Sequence, residues 1–299
     1  MPARKPPEGF LGLPEEREDP RRARVVVLPI PFEATVSYES GTRGGPAAII
    51  AASRQVELYD EELESEPALA WGVQTLPPLA CDLPAGEAMT ERIARAVAPI
   101  VKGGRFLLAL GGEHGISAGI VRGVRRSLPD PLTIVQIDAH ADLRDSYEGD
   151  RFSHACAMRR ILDENPGETV QIGIRSFSRE EAEFIRANRG RVNMFAAGRI
   201  RETDHLDFLR ELKGMVKGRS VYLTLDVDGL DPAVVPATGT PEPGGLSWRE
   251  ALDILKTVAE ASRIVAMDCV ELAPRPGLHM ADFAVAKLLY KALSYAIRT

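Results

Sequence analysis

The chain reads as an α/β protein built on a mainly parallel sheet with helices on both faces. Three observations predict this. Short apolar, β-branched runs recur along the chain, and helical segments alternate with them. Three of the runs end abruptly in acids and histidines. Strands buried on both faces read as apolar runs, and strands alternating with helices build parallel sheets. In such sheets ligands bind outside the carboxyl ends of the strands.

The elements follow in order. Residues 1–24 are rich in Pro, Glu and Arg and read as an N-terminal arm, poorly ordered or folded against a neighbouring subunit. Residues 25–299 read as one domain, without an internal repeat or linker. A strand is expected over 25–30. The stretch 33–46 reads as a long polar loop with Gly41, Gly44 and Gly45. Pro46 then opens a helix through about Tyr59, as proline favours a first helical turn. A second helix covers 86–102. Strand, ligand loop and helix fill 105–128. Strand 132–138 leads through a loop to a helix near 154–164. Strand 169–174 leads to a helix near 179–188. A short strand at 192–195 precedes a helix near 204–216. Strand 220–226 leads through a long loop to a helix from Ser247, where Ser247 and Glu250 form a capping box. Strand 263–270 leads to a final helix near 280–297.

Bulk composition narrows the function. The 299 residues suffice for one large domain. The net charge of −6 and the absence of a basic cluster argue against nucleic acid or an anionic membrane as partner. Three cysteines make neither a disulfide framework nor a zinc site. Cys156 and Cys269 are expected to pack as small apolar groups. No run resembles a signal peptide or a membrane span, so a cytoplasmic location is the default.

The strand ends carry the chemistry. They are Gly111-Gly112-Glu113-His114, Asp138-Ala139-His140-Ala141-Asp142 and Asp226-Val227-Asp228-Gly229-Leu230-Asp231-Pro232. Any one Asp here would read as a helix cap or turn residue. Together, His114, Asp138, His140, Asp142, Asp226 and Asp228 are more ligands than one tetrahedral zinc uses. They fit two divalent ions bridged by carboxylates. Mixed carboxylate and imidazole suits manganese, and also zinc, iron or cobalt. The spacing of two is expected to turn alternate side chains of an extended segment the same way. Asp231, before a proline, reads as a turn residue or a partner behind the ligands.

At these motifs the chain resembles the ureohydrolase family, the arginases and agmatinases. The resemblance extends to Thr238-Gly239-Thr240-Pro241 and to the loop Ser40–Pro46, and runs from about residue 25 to the C-terminus. It implies a three-layer α/β/α sandwich, of a kind shared with deacetylases, and two manganese ions. His114, Asp138, Asp142 and Asp226 would hold one ion. Asp138, His140, Asp226 and Asp228 would hold the other, with Asp138 and Asp226 bridging. One departure is Glu113-His114-Gly115, where many members have Asp-His-Ser; the missing hydroxyl would alter hydrogen bonding behind the ligand.

The resemblance also implies a reaction. A hydroxide formed on two metals would attack the guanidinium carbon, and a general acid would protonate the leaving amine. His154, in Phe152-Ser153-His154-Ala155, matches the family's catalytic histidine; a solvent-exposed histidine at a helix start is the alternative. Glu271 resembles the glutamate that binds the guanidinium through paired, charge-assisted hydrogen bonds; a strand-end glutamate paired with Arg275 is the alternative. Asp268 also qualifies to face the site. His205 is expected on the surface, and His279 at a rim with no assigned role.

The arginase pattern of Asn and Ser residues after the second motif is absent from 143–153. Asp145, Glu148 and Asp150 stand there instead, with Arg144 and Arg151. Such acids would favour a substrate with a distal amine, although Arg144 and Arg151 cut against a simple charge argument; the resemblance, more than the charge, implies agmatine, cleaved to putrescine and urea. A solvated charged loop is the equal alternative. N1-aminopropylagmatine and guanidinobutyrate are the related guanidines, the latter needing a cation such as Arg144 or Arg151. A homologue that binds metal without turnover is the reading from another class. The family resemblance implies a homo-oligomer, a trimer or hexamer, with the N-terminal arm and the final apolar helix as candidate interfaces.

Overall fold

The computed structural model describes residues 8–19, 21–128 and 130–297. Its strands are β1 (Val25–Ile30), β2 (Val73–Thr75), β3 (Phe106–Gly111), β4 (Thr133–Ile137), β5 (Thr169–Ile174), β6 (Val192–Ala196), β7 (Ser220–Asp226) and β8 (Arg263–Val270). Its α-helices are α1 (Gly45–Ser53), α2 (Pro67–Trp71), α3 (Glu87–Lys102), α4 (Ser117–Ser127), α5 (Ala157–Glu164), α6 (Arg179–Ala187), α7 (Ala197–Glu202), α8 (His205–Val216), α9 (Trp248–Ala261) and α10 (His279–Ala296).

The strands form one sheet in the order β2-β1-β3-β8-β7-β4-β5-β6. Every adjacent pair is parallel. Residues along each strand alternate between the two faces. Val25, Val27, Leu108, Leu110, Val135, Leu223 and Leu225 face a core shared with α1, α8, α9 and α10. Val26, Leu28, Leu107, Ala109, Ile134 and Tyr222 face a second core with α3, α4 and α5. The result is the expected α/β/α sandwich.

Chain order and sheet order differ where it matters. β3 and β4 follow each other in sequence, yet β8 and β7 lie between them. The four central strands are therefore β3, β8, β7 and β4, which carry the ligand motifs and Glu271 at or just beyond their carboxyl ends.

Some elements depart from expectation. The N-terminal arm packs on the domain: Phe10, Leu11 and Leu13 are buried in the first core, and Leu11 N–H donates to Ser53 Oγ on α1 at 2.8 Å. Residues 1–7 of that arm lie outside the described residues. The helix from Pro46 stops at Ser53 rather than Tyr59, where the polar run Ser53-Arg54-Gln55 ends its apolar pattern. β2, α2 and α7 had no periodic signal because each spans only three to six residues. The capping box is present, with Ser247 N–H donating to Glu250 Oε2 at 2.8 Å and Glu250 N–H to Ser247 Oγ at 3.3 Å. Cys156 and Cys269 are buried and free. Among the described residues no helix is long and apolar enough to cross a membrane.

Candidate metal centre and substrate cavity

The ligand segments converge over the centre of the sheet. Beyond β3 the backbone turns at Gly112, where a Cβ would lie 2.0 Å from the Phe32 carbonyl. Only glycine admits this approach. His114 follows, buried, and its Nδ1 lies 3.1 Å from Asp138, 3.0 Å from Asp142 and 3.3 Å from Asp226. His140 Nδ1 lies 3.0 Å from Asp228 and 3.7 Å from Asp138. Among the described residues two groups of ligand atoms are compact enough to hold an ion: His114, Asp138 and Asp142; and Asp138, His140 and Asp228. Asp138 belongs to both. Asp226 touches the first through His114.

The spacing of two is not what brings these residues together. Residues 138–142 do not continue the strand, and Asp142 reaches the cluster through a left-handed turn with φ +52°. Asp228 sits in a single 3-10 turn, Val227–Gly229. Glu271 is also left-handed, with φ +65°. Such strain in non-glycine residues costs roughly 1–3 kcal/mol each and concentrates at functional sites.

The donor set tests its fit to a cation. Thr224 Oγ1 donates its proton to Asp268 at 2.6 Å, so it accepts from His114 Nε2–H at 2.8 Å. His114 Nδ1 is thereby turned onto three carboxylate oxygens. It makes no well-directed hydrogen bond among the described residues. A buried nitrogen in that position requires positive charge, which a proton or a metal ion supplies. Burial and the neighbouring charges of Asp228 and Asp138 raise Asp226 well above its ordinary value. Burial and then Asp138 raise Asp142 to about 6. Burial opposes charge on His140, but Asp138 and Asp228 outweigh it and raise the imidazole to about 12. Crowded, buried carboxylates facing aimed imidazoles are what divalent cations neutralise.

Residues behind the ligands were largely invisible in sequence. Asp268 lies under the centre, accepting from Ser117 at 2.5 Å, from Thr224 and from the Tyr222 hydroxyl. It does not face the cavity; it fixes His114 through Thr224. Arg175, half-buried, donates to the backbone carbonyls of Gly173, Asp228, Glu242 and Pro243 at 3.0, 2.6, 2.7 and 3.2 Å. It clamps the ligand loop by its carbonyls. Nothing in a lone Arg after a strand signals this. Arg175→Met keeps the aliphatic stem and removes the donors. It is expected to weaken metal binding about 10–100-fold, read by metal titration; an unchanged affinity would refute the clamp. Asp231 is the expected turn residue, accepting from Ala233, Gly244 and Gly245 N–H at 2.9–3.0 Å.

A cavity of about 300 Å³ opens above the cluster, with His140, Asp142, Asp226 and Asp228 in its floor. His154 and Glu271 both line it. Glu271 does not pair with Arg275, which pairs with Glu39 at 3.2 Å. Its Oε1 accepts from His114 N–H at 2.6 Å. His154 is half-buried, with Nε2 2.9 Å from Ser37 Oγ. Burial, then the charge of His114, lower it to about 4. His205 pairs with Asp253 at 3.0 Å away from the cavity. His279 is exposed in the first turn of α10.

The acids of 143–153 stand outside the cavity. Asp145 is taken up by Arg160 at 2.8 Å and Arg151 at 3.2 Å, and none of the three acids lines the cavity. From this loop Arg144 and Tyr147 line the wall, with the guanidinium 5.1 Å from the ring centre. The mouth is formed instead by residues 36–39 and 176–178, including exposed Tyr38 and Phe177. Glu181 lines the wall but is buried, its oxygens accepting from Leu143 N–H at 3.0 Å and Ser178 N–H at 2.6 Å.

Comparison with known proteins gives consistent findings. The model of the family described as "Arginase family" matches residues 23–294. The chain is 42% identical over 277 residues to the N(1)-aminopropylagmatine ureohydrolase of Synechocystis sp., covering 91% of this chain and 89% of that protein. It is 37% identical over 258 residues to the agmatinase of Bacillus anthracis, covering 84% of each. Among solved structures, the agmatine ureohydrolase of Thermoplasma volcanium superposes with a TM-score of 0.84 at 31% identity, covering 97% of this chain and 94% of that one.

Proposed function

Since the chain belongs to the arginase family and is a ureohydrolase, we propose that it releases urea from a linear guanidinoalkylamine without a carboxylate. The observation that carries this is the joining of the His/Asp cluster to a cavity lined by both His154 and Glu271. We propose N1-aminopropylagmatine as the substrate, with urea and the corresponding triamine as products. Its support is the 42% identical relative and the cavity mouth. Tyr38 and Phe177 offer aromatic faces for a protonated amine, and Glu39 adds an exposed carboxylate shared with Arg275. Agmatine is the second reading, favoured by the agmatinase relatives and by the short distal amine it would present to the same mouth. It would give putrescine, as the first expectation had it. Guanidinobutyrate is disfavoured, because Arg144, its cation in the wall, stacks on Tyr147 and lies 3.8 Å from Glu181.

The roles divide as follows. His114, Asp138, His140, Asp142, Asp226 and Asp228 would hold two divalent ions, manganese being our choice for this mixed donor set. When bound, such a pair supplies charge stabilisation and a water that loses its proton near neutral pH. Glu271 holds the planar guanidinium against the cluster. His154 passes a proton to the amine nitrogen as it leaves. A cytoplasmic homo-oligomer acting in polyamine synthesis is the setting we infer from the family.

Urea release from the manganese-loaded protein, with N1-aminopropylagmatine, agmatine, arginine and guanidinobutyrate side by side, tests the reading. A higher kcat/KM for N1-aminopropylagmatine supports it. Preference for agmatine transfers the assignment to the second reading. Absence of urea from all four overturns it. Glu271→Gln is expected to raise KM by about 10–100-fold, since a hydrogen bond to a charged group contributes roughly 1.5–3 kcal/mol. Unaltered steady-state kinetics would remove Glu271 from guanidinium binding.

A further inference from the structure

We propose that Glu113, the residue before His114, sets the tautomer of His154 through the hydroxyl of Thr35. The proposal rests on the reading of His154 as the proton carrier and adds a positioning residue to it. Glu113 is fully buried, and three donors converge on its carboxylate. Oε2 accepts from Ala34 N–H at 2.6 Å and Thr35 N–H at 2.7 Å. Oε1 accepts from the Thr35 hydroxyl at 2.8 Å. Thr35 Oγ1 in turn accepts from His154 N–H at 3.0 Å and lies 3.2 Å from His154 Nδ1.

The count of protons decides the rest. A hydroxyl has one proton and two lone pairs. The proton goes to Glu113, and one lone pair takes His154 N–H. The remaining lone pair takes a proton from Nδ1. Ser153 Oγ, at 3.4 Å, is a longer partner of the same nitrogen. Nδ1 therefore carries the ring proton. Nε2, beside Ser37 in the cavity wall, is left bare to take up and deliver a proton. Gly115 leaves room for the glutamate: a Cβ there would lie 3.2 Å from Glu113 Oε1 and 3.1 Å from the Phe152 carbonyl. The same carboxylate pins residues 34–35, and so the start of the loop that carries Ser37 and Tyr38 to the mouth.

Glu113→Gln separates positioning from packing. The two backbone N–H groups require an oxygen, so the amide nitrogen falls opposite Thr35 and donates to it. The Thr35 proton then turns to His154 Nδ1, and the ring proton moves to Nε2. Ring 15N shifts of the histidine-labelled full chain, loaded with diamagnetic Zn2+, read this directly; the His154 signals are those lost in His154→Ala. The expected result is Nδ1–H in the wild type and Nε2–H in Glu113→Gln. The manganese-loaded variant should lose about 10–100-fold in kcat, with KM and metal content little changed. Thr35→Ser, which keeps the hydroxyl, should keep the wild-type tautomer and most of the rate. An Nε2–H wild type, or an unchanged tautomer in Glu113→Gln, overturns the proposal. If Glu113→Gln does not fold, Thr35→Val takes its place, and an unchanged ring spectrum there overturns it equally. A wild-type rate in His154→Ala would sink the underlying reading of His154, whereas the relay is decided by the spectrum alone.

Discussion

Asp138→Ala is expected to lose both bound ions and at least roughly 1000-fold in urea release. The metal pair supplies several kcal/mol of transition-state stabilisation, and each 1.36 kcal/mol is about tenfold in rate. The position is singular because Asp138 belongs to both compact ligand groups. One of its oxygens faces His114 at 3.1 Å and the other faces His140 at 3.7 Å. The fold should survive. Asp138 follows the last residue of β4, and the strand's pairing with β5 and β7 comes from Thr133–Ile137. Metal content per chain after dialysis, measured beside circular dichroism and urea release, is the check. A folded variant that keeps two ions and its rate would refute the shared-ligand arrangement. Asp226→Ala should behave similarly, and retention of one ion there would show that Asp226 serves a single site.

His154→Ala is expected to keep both ions and lose about 100–10,000-fold in kcat, the usual contribution of a positioned general acid or base. The residue lines the cavity without belonging to either ligand group. With its pKa lowered to about 4 by burial and by His114, the imidazole is neutral at pH 7. It is thus able to accept a proton within the cycle and hand it to the leaving amine. KM should move little, because Glu271 and the cavity mouth hold the substrate. Full steady-state kinetics with metal analysis distinguishes the outcomes. An unchanged kcat would exclude proton transfer by His154, and loss of metal would recast it as support for the cluster.

The two variants separate holding the ions from using them. Asp138→Ala should lower metal content and rate together. His154→Ala and Glu271→Gln should affect kcat and KM respectively, with the ions retained. Arg175→Met should affect ion affinity by loosening the backbone behind Asp228.

Much of this protein was legible from its sequence because the signals are local. Apolar runs specify strands buried on both faces, and ligands following those runs mark the carboxyl ends. Ser247 and Glu250 satisfy a helix start within four residues. Family resemblance supplied His154 and Glu271 on the same local basis, residue by residue. Short elements such as β2 and α7 were missed because three to six residues carry no readable period. What only the tertiary structure decided is everything that depends on neighbours distant in the chain. Sheet order inserts β8 and β7 between β3 and β4, and so brings residues 114, 138–142, 226–228 and 271 together. The acids of 143–153 read equally as a specificity loop or a solvated one; the fold keeps them out of the cavity, and arginines packed beside them engage Asp145. Asp268, Thr224, Arg175 and Glu113 have no sequence motif for their roles. Each acts through a hydrogen bond whose partner is set by packing, and hydrogen bonding is directional and short-ranged. Composition and periodicity cannot specify such a partner until the fold has fixed the distance.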